Sequence, residues 1–69
     1  MITEDFGKHI RKLREKAGFT QENFALLIDM DRSYYASVEL GKRNISLINI
    51  AKIANGLGLT LSELFRDLK

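Results

Sequence analysis

Apolar residues recur at helical spacing almost from the start of the chain. Phe6, Ile10, Leu13 and Ala17 fall at i, i+4, i+7 and i+11, one face of an α-helix. With Thr3 as N-cap and Gly18 as the C-terminal stop, this spacing predicts a first helix over 4–17. Thr20 is placed to cap a second helix from Gln21, with Phe24, Ala25, Leu27 and Ile28 facing inward. Asp29-Met30-Asp31 follows, and Asp31 is a strong N-cap for a third helix running from about Arg32 to Leu40. Its inward residues are Tyr35 and Val38, and Gly41 ends it. Lys42-Arg43-Asn44 forms a basic loop. Ser46 caps a fourth helix with Ile50, Ile53, Ala54 and Leu57 inward, broken by Gly56 and Gly58. Thr60-Leu61-Ser62-Glu63 fits a capping box that opens a fifth helix. That helix is expected to reach the chain end, with Leu61, Leu64, Phe65 and Leu68 as its apolar face. The pattern contains no repeat, linker or low-complexity stretch, so residues 1–69 read as one all-α domain.

Composition narrows the classes. At 69 residues the chain is one domain at most, and only marginally able to bury a core of its own. It has no cysteine, so neither a disulfide nor a thiolate metal site contributes, and no proline, which suits an all-helical chain. The longest apolar run, Phe24 to Ile28, is far short of a membrane span. The start, Met1-Ile2-Thr3-Glu4-Asp5, is acidic and lacks the apolar core of a signal peptide, which points to the cytoplasm and away from a membrane. Net charge is +2, but unevenly spread: residues 1–31 carry −1 and residues 32–69 carry +3. Basic residues therefore lie in patches, the arrangement that favours phosphate contact. His9 is the lone histidine, expected at the surface. With no cysteine and no clustered carboxylates it supports neither a metal site nor a catalytic pair. No cofactor is implied, and Gly56-Leu57-Gly58 follows a helix rather than a strand, unlike a phosphate-binding loop. The chain does not read as an enzyme.

Two short helices joined by a three-residue turn, Asp29 to Asp31, have few uses other than reading double-stranded DNA. The first helix braces the second at a steep angle, and the second is narrow enough to enter the major groove. Its N-terminal residues then meet base edges that differ for each pair. Here the outward residues are Arg32, Ser33, Tyr34, Ala36 and Ser37, a small and largely polar face. Arg32 can bind guanine O6 and N7 together, serines read bases weakly, and the Ala36 methyl can meet a thymine methyl. Tyr34 either touches a phosphate or base edge, or packs against the second helix.

From Phe6 to Phe65 the sequence resembles the lambda-repressor and Cro (XRE) helix-turn-helix family. The resemblance rests on Ile10-Arg11-Lys12-Leu13-Arg14-Glu15-Lys16-Ala17-Gly18, Thr20-Gln21-Glu22-Asn23-Phe24-Ala25, Arg32 through Arg43, Ser46-Leu47, and Leu57 through Phe65. Asp31-Arg32-Ser33-Tyr34-Tyr35 followed by Gly41-Lys42-Arg43-Asn44 is especially similar to controller proteins of restriction–modification systems. The resemblance implies a compact five-helix, lambda-repressor-like fold and a transcriptional regulator. Such a regulator acts by occupying an operator, repressing or activating, and by blocking or recruiting RNA polymerase. It implies phosphate contacts from Gln21, Lys42, Arg43 and Asn44, and a structural ion pair between Arg14 and Glu39. One position departs from the family: the turn glycine is replaced by Asp29, which tolerates the left-handed conformation better than most residues.

One short recognition helix covers few base pairs, so selectivity calls for a homodimer on a palindromic operator. The apolar residues near the C-terminus exceed what one small core needs. Leu57, Leu59, Leu61, Leu64, Phe65 and Leu68 are therefore candidates for the dimer interface. The competing reading is a protein-interaction module, an antitoxin or adaptor, that keeps the same fold.

Overall fold

A computed structural model describes residues 1–68. Five helices follow in order: α1 (Ile2–Lys16), α2 (Gln21–Leu27), α3 (Arg32–Glu39), α4 (Leu47–Leu57) and α5 (Leu61–Phe65). Four of the five starts are fixed by side chains next to the helices they open. Thr20 Oγ1 accepts from Asn23 N (3.1 Å), and Asp31 Oδ2 accepts from Tyr34 N (2.9 Å). Ser46 Oγ accepts from Asn49 N (3.2 Å). Thr60 and Glu63 exchange reciprocal bonds of 2.9 and 3.1 Å, a complete capping box. Each satisfies backbone N–H groups that have no partner within the helix.

The two ends of the chain differ from expectation. Thr3 is not an N-cap: α1 begins at Ile2, because the Met1 carbonyl already accepts from Asp5 N (3.0 Å). Glu4 and Asp5 then lie in the first turn, where their charge suits the helix dipole. At the other end α5 stops at Phe65 rather than continuing. Arg66 N bonds to the Glu63 carbonyl and Leu68 N to the Phe65 carbonyl, three-residue spacings that tighten the chain into turns. This brings Leu68 back against the core.

The core is built from Phe6, Ile10, Phe24, Ala25, Ile28, Tyr35, Val38, Ile53, Ala54 and Leu64. Every helix contributes, and Phe24 sits at the centre, its ring 5.3 Å from Tyr35 and 5.4 Å from Phe19. Two residues read as inward are not: Leu27 and Ala17 are exposed. Both lie at helix ends, where the core no longer reaches.

Two glycines permit the close helix approaches that shape this core. A Cβ on Gly7 would lie 2.4 Å from the Glu39 carbonyl oxygen, so α1 crosses α3 backbone to backbone. Gly56 does not break α4, contrary to the expectation; it lies within the helix. A Cβ there would fall 2.4 Å from Ile28 Cγ2 and 3.0 Å from the Phe24 ring, so the missing side chain lets α2 dock on α4.

Candidate nucleic-acid interface

The turn between α2 and α3 depends on Asp29, which adopts φ 54°. It stands among the few residue types that enter the left-handed region at modest cost. The N–H of Asp29 reaches the Leu26 carbonyl and that of Met30 the Ala25 carbonyl, closing the end of α2. The chain then restarts at Asp31 as the cap of α3.

One side of α3 is held rigidly. Tyr35, Val38 and Glu39 are buried. Glu39 accepts from Arg14 Nε at 2.7 Å and from Arg14 Nη2 at 3.1 Å, a bidentate pair joining α1 to α3. Arg14 Nη1 also donates to the Phe19 carbonyl at 2.7 Å, just before the α2 cap. Burial alone would raise the Glu39 pKa. Hydrogen bonding from Arg14, with its polar neighbours Tyr35 and Gln21, more than reverses that and holds it below the ordinary carboxylate value. The hydrogen bond to Glu39 likewise raises the Arg14 pKa, against the opposing effect of burial. The Tyr35 hydroxyl is buried beside this pair with no hydrogen-bond partner among the described residues. Burial first, and the Glu39 carboxylate next, push its pKa far above that of a free phenol.

The other side of α3 is open, though less uniformly than its sequence suggests. Arg32 and Ser33 are exposed, while Tyr34, Ala36 and Ser37 are half-buried. Arg32 Nη1 lies 3.8 Å from Glu22 Oε1, a loose pair with both side chains about two-thirds exposed. Such a contact holds the guanidinium weakly and releases it readily. Ser37 Oγ donates to the Tyr34 carbonyl at 2.6 Å and accepts from Arg43 Nε at 3.0 Å, so its hydroxyl is engaged within the protein. Arg43 is exposed but folds back from its loop over α3. Its guanidinium lies 5.5 Å from the Tyr34 ring centre, a cation–π contact. Tyr34 itself turns toward α4, where its hydroxyl accepts from Asn49 Nδ2 at 3.3 Å. Lys42 and Asn44 are exposed beside it.

Gln21 faces inward on one side: its Nε2 donates to Glu39 Oε1 at 2.8 Å. Asn49, Gly7 and Glu22 therefore join the surroundings of α3 although the sequence marked none of them. Asn49 carries no local signal beyond following a cap. His9, expected at the surface, is half-buried, and its Nε2 donates to the Leu64 carbonyl at 2.5 Å, tying α1 to α5.

The six apolar residues assigned to an interface divide. Leu64 is completely buried and serves the protomer core, so it offers no surface to a second chain. Leu57, Leu59 and Leu68 are half-buried against the same core. Leu61 and Phe65 remain 42% and 38% exposed, and Leu47 and Ile48 on α4 are 72% and 73% exposed. Phe65 also stacks on Phe6 at 5.6 Å. Among the described residues, no group of three or more His, Cys, Asp or Glu could hold a metal ion. Nor among them is any helix long and apolar enough to cross a membrane.

A helix-turn-helix family model matches residues 10–64, from the middle of α1 into α5. The chain belongs to the helix-turn-helix family. Within that family it is similar to controller proteins, as the α3 region of its sequence suggests. The control protein C.MunI of a Mycoplasma species is 58% identical over 65 residues, spanning 93% of this chain and 88% of that protein. The crystal structure of the restriction–modification controller protein C.AhdI from Aeromonas hydrophila superposes with a TM-score of 0.87. It is 46% identical and covers 91% of this chain and 96% of its own. The controller C.Esp1396I, solved as a tetramer on its natural 35-base-pair operator, superposes with a TM-score of 0.91. It is 28% identical and covers 99% of this helix-turn-helix protein and 90% of its own chain.

Proposed function

We propose that this protein is a sequence-specific, double-stranded-DNA-binding transcriptional regulator of the restriction–modification controller type. It acts by binding rather than by catalysis. The observation that carries this reading is the division of α3. One side is anchored by Tyr35, Val38 and the Arg14–Glu39 pair, while the other leaves Arg32 and Ser33 bare. A helix so fixed can enter the major groove without rearranging. Arg32 is the principal base reader, with Ser33, Tyr34, Ala36 and Ser37 lining the rest of the groove face. Gln21, Lys42, Arg43 and Asn44 take backbone phosphates. The complex of C.Esp1396I with its operator supports the same use of a closely similar fold.

The protein binds as a homodimer through the exposed apolar surface of α4 and α5, chiefly Leu61 and Phe65, with Leu57, Leu59 and Leu68 beneath. Successive half-sites lie about 34 Å apart, so each α3 must sit about 17 Å from the two-fold axis. A protomer measuring 27 × 24 × 21 Å is large enough for that separation when two copies abut on one face. The protein works in the cytoplasm, and contact with RNA polymerase is part of its action at a promoter.

Selection of bound duplexes from random DNA, with sedimentation at micromolar protein, tests the proposal. A palindromic consensus with half-sites about one helical turn apart, and a dimer in solution, are expected. Failure to enrich any sequence overturns it.

A further inference from the structure

The amide of Gln21 has two edges with opposite chemistry, an oxygen that accepts and an NH2 that donates. Only the donor edge suits a phosphate. A glutamine free to flip would present the wrong edge part of the time, and ordering it on binding would cost side-chain entropy. In this protein the choice is made before any ligand arrives. The Glu39 carboxylate, held ionised by Arg14, can only accept hydrogen bonds. The NH2 of Gln21 must therefore face it, as it does at 2.8 Å. That bond uses one of the two amide hydrogens. The second diverges from it and is left to point away from the carboxylate, from a residue that is itself half-exposed. Arg14 completes the arrangement by also holding the Phe19 carbonyl, so the backbone leading into Gln21 is fixed by the same guanidinium.

We infer that Glu39 is a positioning residue for DNA binding: locked by Arg14, it sets the flip of the Gln21 amide so that an N–H faces a backbone phosphate. This rests on the proposed DNA-binding function and on Gln21 as a phosphate ligand. The buried pair thereby has two effects, one on the fold and one on the readiness of a surface donor 18 residues away in sequence. A merely structural pair would affect the first alone.

Gln21 is the single glutamine of the chain, so selective side-chain 15N labelling yields one NH2 signal. In the DNA-free protein one hydrogen is expected to exchange slowly with solvent and to lie away from its shift in an unbound primary amide, while the other exchanges freely. Adding the duplex selected by the wild type is expected to move the other. The variant carrying Arg14→Met and Glu39→Leu together removes the carboxylate without leaving a buried charge. In it both hydrogens are expected to exchange freely with solvent, at the shifts of an unbound primary amide, and affinity to fall about tenfold, as it does in Gln21→Ala, the size of one lost charge-assisted bond. Adding Gln21→Ala to the paired variant should then lower affinity no further. The inference is overturned if both wild-type hydrogens exchange freely, if the folded paired variant binds as tightly as the wild type, or if the two losses multiply. Should the paired variant not fold, the labelled wild type decides alone, free and DNA-bound. If the wild type enriches no duplex, the DNA-binding reading fails and this role of Glu39 fails with it; if it binds while the losses multiply, only the role of Glu39 fails.

Discussion

Replacing Arg14 by methionine should nearly unfold the protein, and the structure sets the size of the effect. Methionine keeps an unbranched apolar stem in the space of the arginine methylenes, so the loss is mainly of charge and hydrogen bonds. Arg14 supplies two bonds to Glu39 and one to the Phe19 carbonyl. The side chains of the pair are 8% and 2% exposed, so water cannot replace the guanidinium. Glu39 would be left as a buried carboxylate with only the Gln21 amide as a side-chain donor among the described residues. Stranding a buried charge in this way costs about 3–5 kcal/mol. A 69-residue domain has a total stability of about 3–10 kcal/mol. The single change therefore consumes much or all of it. Adding Glu39→Leu removes the stranded charge and should restore stability to near the wild-type value. Exchange of a buried pair for apolar residues is often neutral or stabilising, and the lost bond to Phe19 costs about 1 kcal/mol. Urea unfolding followed by far-UV circular dichroism at pH 7, on the wild type, both singles and the double, measures all four states. The reasoning is refuted if Arg14→Met costs less than about 1 kcal/mol, or if the double variant is no more stable than the worse single.

Gly7→Ala should destabilise by about 1–3 kcal/mol, since a methyl 2.4 and 2.6 Å from the Glu39 and Val38 carbonyl oxygens forces α1 off α3; thermal melting reads this directly. Glu39 has a lowered folded-state pKa, so the stability it contributes is fully present above the ordinary carboxylate pKa and is lost as pH falls through the lowered value. The gap in melting temperature between the wild type and Arg14→Met/Glu39→Leu should accordingly shift against the wild type on acidification below about pH 4.5. Arg32→Ala should weaken specific binding by about 1–3 kcal/mol and relax preference at one base position, as read by competition among single-base variants of the selected site. Arg43→Ala should weaken binding to all duplexes alike and reduce the salt slope by about one unit, as read by titration at several ionic strengths.

The features legible in the sequence were those that act locally. Thr20, Asp31, Ser46 and Thr60 cap the helix that each immediately precedes, so these four caps were readable next to the helical patterns they open, whereas Thr3 was not a cap because α1 starts one residue before it. Asp29 was readable because its conformation depends on its own backbone. Spacing found Phe6, Ile10, Tyr35 and Val38 because a helix face repeats regularly. Features that depend on a distant neighbour stayed hidden. Gly56 looks like a helix breaker until Phe24 and Ile28 are seen against it. Leu27 fits an inward pattern, but α2 is only seven residues long and its last turn outruns the core. Leu64 and Leu61 belong to the same apolar stripe, and only the packing of α5 separates the buried one from the exposed one. Arg43 reads as a phosphate-contacting loop cation, and nothing in the sequence shows that it also folds over Tyr34 and bonds Ser37. The link from Glu39 to Gln21 joins two residues that each carried a separate reading.

The division of α3 into an anchored side and an open side has a consequence for how such a protein can change its target. Tyr35, Val38 and Glu39 contribute to the core and to the buried pair, so substitutions there act through folding. Among the described residues, the one side-chain ion pair or hydrogen bond of Arg32 and Ser33 is the loose pair of Arg32 with Glu22. Changes at exposed sites without buried partners usually alter stability by less than about 0.5 kcal/mol. Base preference at these two positions can therefore shift while the fold stays constant. Ser37 and Tyr34 are different, because each is also bonded to Arg43 or Asn49, and a change in either moves a second contact. New specificities should consequently arise first at Arg32 and Ser33, and at Tyr34 or Ser37 only together with Arg43 or Asn49.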